Sequence, residues 1–210
     1  MKKAILFDLD GTLWDSTGCA AVIWNRVLEG HPEAAAPITP AQTARLMGKT
    51  MAEIGQSLFP ALSDEARQAI LEEFEAEEVR YLSKNGAVLY AGVCETLEAL
   101  APQYSLYIVS NCQEGYIQAF LKAHALESLF QDFESSGRTG LDKAQNIQLV
   151  MARNALTRAA YVGDTAGDEV AAHRAGLRFI WARYGFGKAA SPDDAIDSLA
   201  ALPKCIEALI

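Results

Sequence analysis

Ala4-Ile5-Leu6-Phe7-Asp8-Leu9-Asp10-Gly11-Thr12 is the stretch from which the rest of the chain can be read. Its apolar run predicts a short buried strand over residues 4–8, and the run ends abruptly on two aspartates one residue apart. Gly11 lets the chain turn sharply after the second of them. Open parallel sheets bind ligands beyond the carboxyl ends of their strands, so acids placed there are candidates for a site before any other feature is considered. Met1-Lys2-Lys3 followed by apolar residues has the outline of a secretion signal, but Asp8 and Asp10 interrupt the apolar stretch too early. The segment therefore belongs to the fold.

Further along, apolar runs predict strands over 104–109, 131–135, 159–163 and 177–182. Three- and four-residue spacing of apolar positions predicts helices over 93–101, 113–125, 142–154 and 166–175. Strand and helix alternate, which is the pattern of an α/β fold with a parallel sheet and helices on both faces. The gap between the first two strands is far longer than one crossover requires, and it reads as a helical insert. Thr39-Pro40 and Ser63-Asp64-Glu65 have the form of helix starts, and Gly86 that of a helix stop. Ala66, Ile70 and Phe74 mark the apolar side of the longest insert helix, while Glu72, Glu73, Glu75, Glu77 and Glu78 read as a solvated face. The expected division is a core of residues 1–15 and 87–210 with a helical domain over 16–86.

Two more strand ends carry unusual polar residues. Leu106-Tyr-Ile-Val runs into Ser110-Asn111, and Ala160-Tyr-Val-Gly163 into Asp164-Thr-Ala-Gly-Asp168. Asp8, Asp10, Asp164 and Asp168 would then converge on one sheet edge, where like charges raise one another's pKa unless a cation compensates. Hard oxygen donors without sulfur or imidazole favour Mg²⁺. Lys143, at the start of the predicted 142–154 helix, would add a positive charge beside a helix N-terminus, a combination suited to phosphate. Backbone amides around Leu9 to Thr12 would form a nest for phosphate oxygens.

Composition narrows the partners. The 210 residues carry a formal charge of −9 and show no basic stripe, which argues against nucleic acid, and no apolar run is long enough to span a bilayer. Cys19, Cys94, Cys112 and Cys205 lie far apart and read as reduced thiols of a cytoplasmic protein, with Cys112 alone close to the sheet edge. His31, His124 and His173 share no ligand spacing, and Gly185-Phe-Gly187-Lys188 reads as a loop near the sheet edge.

Taken in order, Asp8-Leu-Asp10-Gly-Thr12, Ser110, Lys143 and Gly163-Asp164-Thr-Ala-Gly-Asp168 resemble the four motifs of the haloacid dehalogenase superfamily. The resemblance spans nearly the whole chain and implies a Rossmann-like core with the insert as a C1 cap, of the kind found in phosphoglycolate-phosphatase-like members. It implies a Mg²⁺-dependent phosphatase acting on a small phosphorylated metabolite through an aspartyl-phosphate on Asp8, with Asp10 as general acid and base. Asp8, Asp164 and the backbone carbonyl of Asp10 would hold the metal, and Asp168 would orient a metal water or Lys143. Thr12, Ser110, the Asn111 amide and Lys143 would hold the phosphate. Arg45, Gly48 and Lys49 are the candidates for substrate contacts from the cap, and Trp14 is expected in the core, with the hinge or the cavity wall as the alternatives. Ala91 and Ala144 stand where many relatives have proline. A phosphomutase of the β-phosphoglucomutase type and a non-catalytic phospho-ligand module are the alternatives, and monomer and dimer both remain open.

Overall fold

A computed structural model describes residues 3–34 and 37–210. The first two residues of the expected 1–15 segment, and residues 35 and 36 of the expected insert, lie outside the described residues. In chain order the elements are β1 (Lys3–Phe7), β2 (Trp14–Asp15), α1 (Thr17–Leu28), α2 (Pro40–Ala44), α3 (Met51–Leu58), α4 (Asp64–Asn85), β3 (Val88–Leu89), α5 (Val93–Leu100), β4 (Tyr104–Ser110), α6 (Tyr116–His124), β5 (Phe130–Ser135), α7 (Ser136–Thr139), α8 (Lys143–Arg153), β6 (Ala159–Gly163), α9 (Ala166–Arg174), β7 (Arg178–Ala182), β8 (Asp194–Ile196) and α10 (Leu202–Leu209). Six strands form one parallel sheet in the order β5-β4-β1-β6-β7-β8. β1 lies between β4 and β6, with Phe7 in register with Ile108 on one side and Val162 on the other. The chain order reverses at β1, and this is where a parallel sheet opens a crevice.

Successive side chains of β1 point to opposite faces. Ile5 and Phe7 pack with Val93 and Leu97 of α5, Ile117 and Phe120 of α6, and Leu202 and Ile206 of α10. Ala4 and Leu6 pack on the other face with Ala144, Ile147 and Val150 of α8 and with Ala171 and Ala172 of α9. The α/β architecture expected from the alternation of elements is therefore the one observed. Among the elements that escaped that reading are α7, β8, α10 and the two-residue ribbon in which β2 pairs antiparallel with β3. The predicted 113–125 helix starts only at Tyr116, because Gly115 has φ 87°.

Helices α1 to α4 enclose an apolar cluster of their own, in which Trp24 of α1 stacks on Phe74 of α4 with ring centroids 5.1 Å apart. α4 begins where Ser63 accepts a hydrogen bond from the Ala66 amide, and ends at Gly86 with φ 67°. The glutamates of α4 do not all face water, however. Glu78 is 3% exposed, a correction to the solvated face read from the sequence. The reason is periodicity: Ile70, Phe74, Glu78 and Leu82 are buried at successive four-residue steps, so an acid occupies a position of the apolar stripe.

Candidate active site

Asp8 follows β1 directly, its amide donating to the Val162 carbonyl of β6 at 2.8 Å. That bond carries the chain past the sheet edge and sets the Asp8 side chain, 1% exposed, between β4 and β6. Lys143 is the first residue of α8, whose start is fixed by a capping box between Asp142 and Gln145. Its Nζ lies 3.0 Å from Asp8 Oδ1 and 2.5 Å from Asp168 Oδ1. Asp168 occupies the third position of α9, where its Oδ2 accepts hydrogen bonds from the Thr165 amide and hydroxyl and from the Asp164 amide. One carboxylate thus starts a helix and holds the lysine.

Asp164 is held from the loop after β7. Its Oδ2 accepts from the Phe186 and Gly187 amides at 2.7 and 3.2 Å, and its carbonyl accepts from Trp181 Nε1 at 3.0 Å. The loop comes this close because it carries glycine: a Cβ at Gly185 would lie against Asp164 and the Gly11 carbonyl. Gly11 itself, at φ +80°, faces the Asp164 carboxylate so closely that any side chain would collide with it.

Burial raises the Asp8 carboxyl pKa, the Asp168 charge raises it further, and Lys143 opposes both. Burial likewise raises Asp164, with Asp168 and Asp8 adding to it. Burial works against the charge on Lys143, but Asp168 and Asp8 outweigh it and hold the ammonium well above the ordinary lysine range. The site thus contains more buried negative charge than its lysine balances. Asp8, Asp164 and Asp168 each present a carboxylate oxygen, all within 4.8 Å of one another. Among the described residues neither Asp8 oxygen nor Asp164 Oδ1, all buried, has a hydrogen-bond partner; Asp8 Oδ1 has the ion-pair contact to Lys143. Three orphaned hard oxygens in an acidic pocket fit a divalent cation such as Mg²⁺. Asp168, with its oxygens already engaged, fits an outer position.

The Asp10 carboxylate is not in that group. Its Oδ1 accepts from Ser16 Oγ at 2.5 Å and from Tyr116 Oη at 3.1 Å. Burial raises its pKa, while these two hydroxyls lower it. Three of the four expected carboxylates lie close enough to share one ion, while the fourth faces the cleft that Asp8 also lines. That cleft lies between the sheet edge and the helices of the insert. Asp8, Asp10, Ser110, Asn111, Lys49, Trp24, Glu78, Gln113 and Tyr116 are among its lining residues.

Other expected contacts fall differently. Arg45 is exposed at the C-cap of α2 and does not line the cleft. Lys49 does, from the rim, with its ammonium donating to Ser57 Oγ at 3.3 Å. The Asn111 side-chain amide is already engaged, donating to the Gly48 carbonyl at 2.8 Å and accepting from Ser136 Oγ at 2.9 Å. It ties the end of β4 to the insert. Thr12 is fully buried with its hydroxyl unpartnered, and its amide closes the turn by donating to the Leu9 carbonyl. The Gly11 amide likewise donates to the Trp14 carbonyl, so the expected nest is reduced to the amides nearest Asp8. Cys112 lines the cleft, and burial pushes its thiol up, which makes it an unreactive wall.

Ser16, Tyr116, Glu78 and Gln113 are the site residues that the sequence reading missed. Ser16 stands at an N-cap position yet makes no capping bond, its hydroxyl being given to Asp10. Glu78 did leave a signal, as an acid at the next step of the stripe begun by Ile70 and Phe74. Nothing in the sequence marked Tyr116 or Gln113.

The family model for haloacid dehalogenase-like hydrolases matches residues 5–182. The phosphoglycolate phosphatase of Vibrio vulnificus (strain YJ016) is 31% identical over 222 residues, covering 95% of this chain and 94% of that protein. The phosphoglycolate phosphatase of Synechococcus elongatus is 28% identical over 219 residues, covering 91% of each. Among solved structures, a predicted phosphoglycolate phosphatase from Haemophilus somnus superposes with a TM-score of 0.85 at 25% identity, covering 98% of both chains. The chain belongs to the haloacid dehalogenase-like hydrolases. Within them it is a phosphoglycolate-phosphatase-like protein and, by reaction class, a phosphoric monoester hydrolase.

Proposed function

We propose that this protein hydrolyses a small phosphomonoester in two steps through a phosphoryl group carried transiently on Asp8. Residues 1–15 and 87–210 form the catalytic core in this reading, and 16–86 the cap that closes over the substrate. The observation that carries it is the trio of orphaned carboxylate oxygens on Asp8 and Asp164, buried beside Lys143. Asp8, Asp164 and the Asp10 backbone carbonyl would hold Mg²⁺, with Asp168 outside them. When bound, the ion offsets the charge of the carboxylates and of the phosphoryl oxygens.

In the first step an Asp8 oxygen attacks phosphorus, the bond from phosphorus to the leaving oxygen breaks, and Asp10 donates its proton to that oxygen. In the second, Asp10 takes a proton from water as the water attacks phosphorus, and Asp8 departs as a carboxylate. Lys143, Ser110 and the backbone amides at the ends of β1 and β4 hold the phosphoryl oxygens, consistent with the way buried donors act where charge develops. Lys49 at the rim attracts the dianionic ester. Phosphoglycolate, the substrate in the names of the relatives, belongs in the first panel to be assayed.

The test is p-nitrophenyl phosphate hydrolysis by the full chain with and without Mg²⁺. Turnover should require the ion and fall by more than about 10³-fold in Asp8→Asn. Metal-independent turnover, or an active Asp8→Asn protein, contradicts the reading. With a hexose 1-phosphate as substrate, recovery of an isomeric sugar phosphate instead of inorganic phosphate would assign a mutase.

A further inference from the structure

The mechanism makes no use of Glu78, although it is buried in the roof of the cleft. Its Oε1 accepts from Trp24 Nε1 at 2.9 Å and its Oε2 from Gln113 Nε2 at 2.6 Å, and both partners line the same cleft. Trp24 comes from α1, Glu78 from α4 and Gln113 from the loop after β4, so three segments converge to orient one carboxyl group. Among the described residues no lysine or arginine is bonded to it, and the charges that reach it, Asp10 and Glu75, have its own sign. Burying a carboxyl without a cation is costly. The helix-packing role of this step in the stripe would be filled better by leucine, as it is at Leu82. Each carboxyl oxygen accepts one hydrogen bond from the protein and retains room for another.

We propose that Glu78 is a specificity-determining residue that hydrogen-bonds a hydroxyl of the leaving alcohol, so that the enzyme selects hydroxylated, uncharged leaving groups over carboxylate-bearing ones. The proposal rests on the phosphatase reading above and assigns the half of the cleft that reading leaves open. Asp8 marks the phosphate end, and Glu78, on the cap side of the same cleft, faces whatever the phosphate is attached to. A hydroxyl both donates and accepts, so it satisfies this carboxyl whether or not the carboxyl holds a proton. A substrate carboxylate only accepts, and it would bring a second negative charge to a part of the cleft whose lining residues supply no buried cation. The cation among the lining residues is Lys49, exposed at the rim and turned to Ser57. A second anion therefore finds no buried counter-charge.

Glycerol 3-phosphate and propyl phosphate differ only in two hydroxyls, which makes them the direct comparison. With the Mg²⁺-loaded full chain, kcat/KM for glycerol 3-phosphate should exceed that for propyl phosphate and for phosphoglycolate by about tenfold or more, since a site built for a hydroxyl rejects analogues without it. Glu78→Gln replaces the carboxyl by a neutral amide of the same shape, and should narrow the preference over phosphoglycolate by about tenfold. Phosphoglycolate turned over as well as glycerol 3-phosphate, or an unchanged ratio in the variant, overturns the proposal. So does a preference for phosphoethanolamine, which would make the selected group an ammonium. The wild-type comparison decides the matter even if the variant fails to fold. Failure of the wild type to hydrolyse any ester, p-nitrophenyl phosphate included, defeats the phosphatase reading itself and this proposal with it.

Discussion

Ser16 and Tyr116 donate to the same oxygen of Asp10, which leaves Oδ2 as the oxygen free of protein hydrogen bonds among the described contacts. In the proposed reaction the acid fixed through one oxygen would offer its proton from the other, which would make Tyr116 a positioning residue for Asp10. Tyr116→Phe keeps the ring against Trp14, where the centroids are 5.5 Å apart, and removes only the hydroxyl. Loss of a hydrogen bond to a charged group costs about 1.5 kcal/mol, roughly tenfold in rate. That loss should appear with alkyl phosphates and be much smaller with p-nitrophenyl phosphate, whose leaving group needs little protonation. An equal loss on both would mean that the hydroxyl merely supports packing. At this scale the acids and Lys143 were legible, because a polar residue directly after a buried strand is unusual whatever the fold. Tyr116 was not legible, since an aromatic in a helix reads as core, and here it is both core and hydrogen-bond donor.

Two site helices, α8 and α9, start with a capping interaction that also aims a site residue. Asp142 and Gln145 fix the first turn of α8 and hence Lys143, while Thr165 and Asp168 do the same for α9. Asp142→Ala should lower stability by about 1 kcal/mol, measured by denaturant unfolding; no change in the unfolding midpoint would mean that the cap carries no load. Between β7 and β8, Asp193 accepts from the Phe179 amide at 2.8 Å and from Arg178 at 2.5 Å, and pairs with His173 at 3.0 Å. Burial opposes ionisation there, but these partners together lower the carboxyl to about 2. A depressed folded-state pKa contributes stability that is present above the ordinary carboxylate range and lost as pH falls toward 2. The Tm gap between wild type and Asp193→Asn should therefore be steady above about pH 4 and shrink below it; a gap independent of pH refutes the assignment. The long strands were legible from their apolar runs. β8 has three residues and one of them is Asp194, while α10 opens with Leu202-Pro203 and spans eight residues, so neither left enough periodicity to read. What orders them is packing against β7 and α5, which a linear pattern does not record.

Over the whole molecule, chain reversal at β1 brings residues 8, 143, 164 and 168 together from segments far apart in sequence. Among the described residues no helix is long and apolar enough to cross a membrane. The assembled acids have a thermodynamic signature. Asp8 and Asp164 have raised pKa values in the fold, so in the metal-free protein the folded state holds protons that the unfolded chain releases. Stability should then fall as pH rises from about 4 through neutrality, and Mg²⁺ should raise Tm more at pH 8 than at pH 5. A Mg²⁺ effect equal at both values would place the ion elsewhere. The break in the chain pattern between β1 and β4 was visible because a long helical stretch interrupts an otherwise regular alternation. The contacts across it, Asn111 to Gly48 and Gln113 to Glu78, were not, since they join side chains with no shared pattern. The central claim is that Asp8 carries the phosphoryl group. It is tested most directly by acid-quenching the Mg²⁺-loaded enzyme during turnover and mapping phosphate by peptide mass spectrometry. The account predicts one phosphoryl group on the peptide containing Asp8, absent in Asp8→Asn; turnover with that peptide unmodified and phosphate trapped on another residue would contradict it.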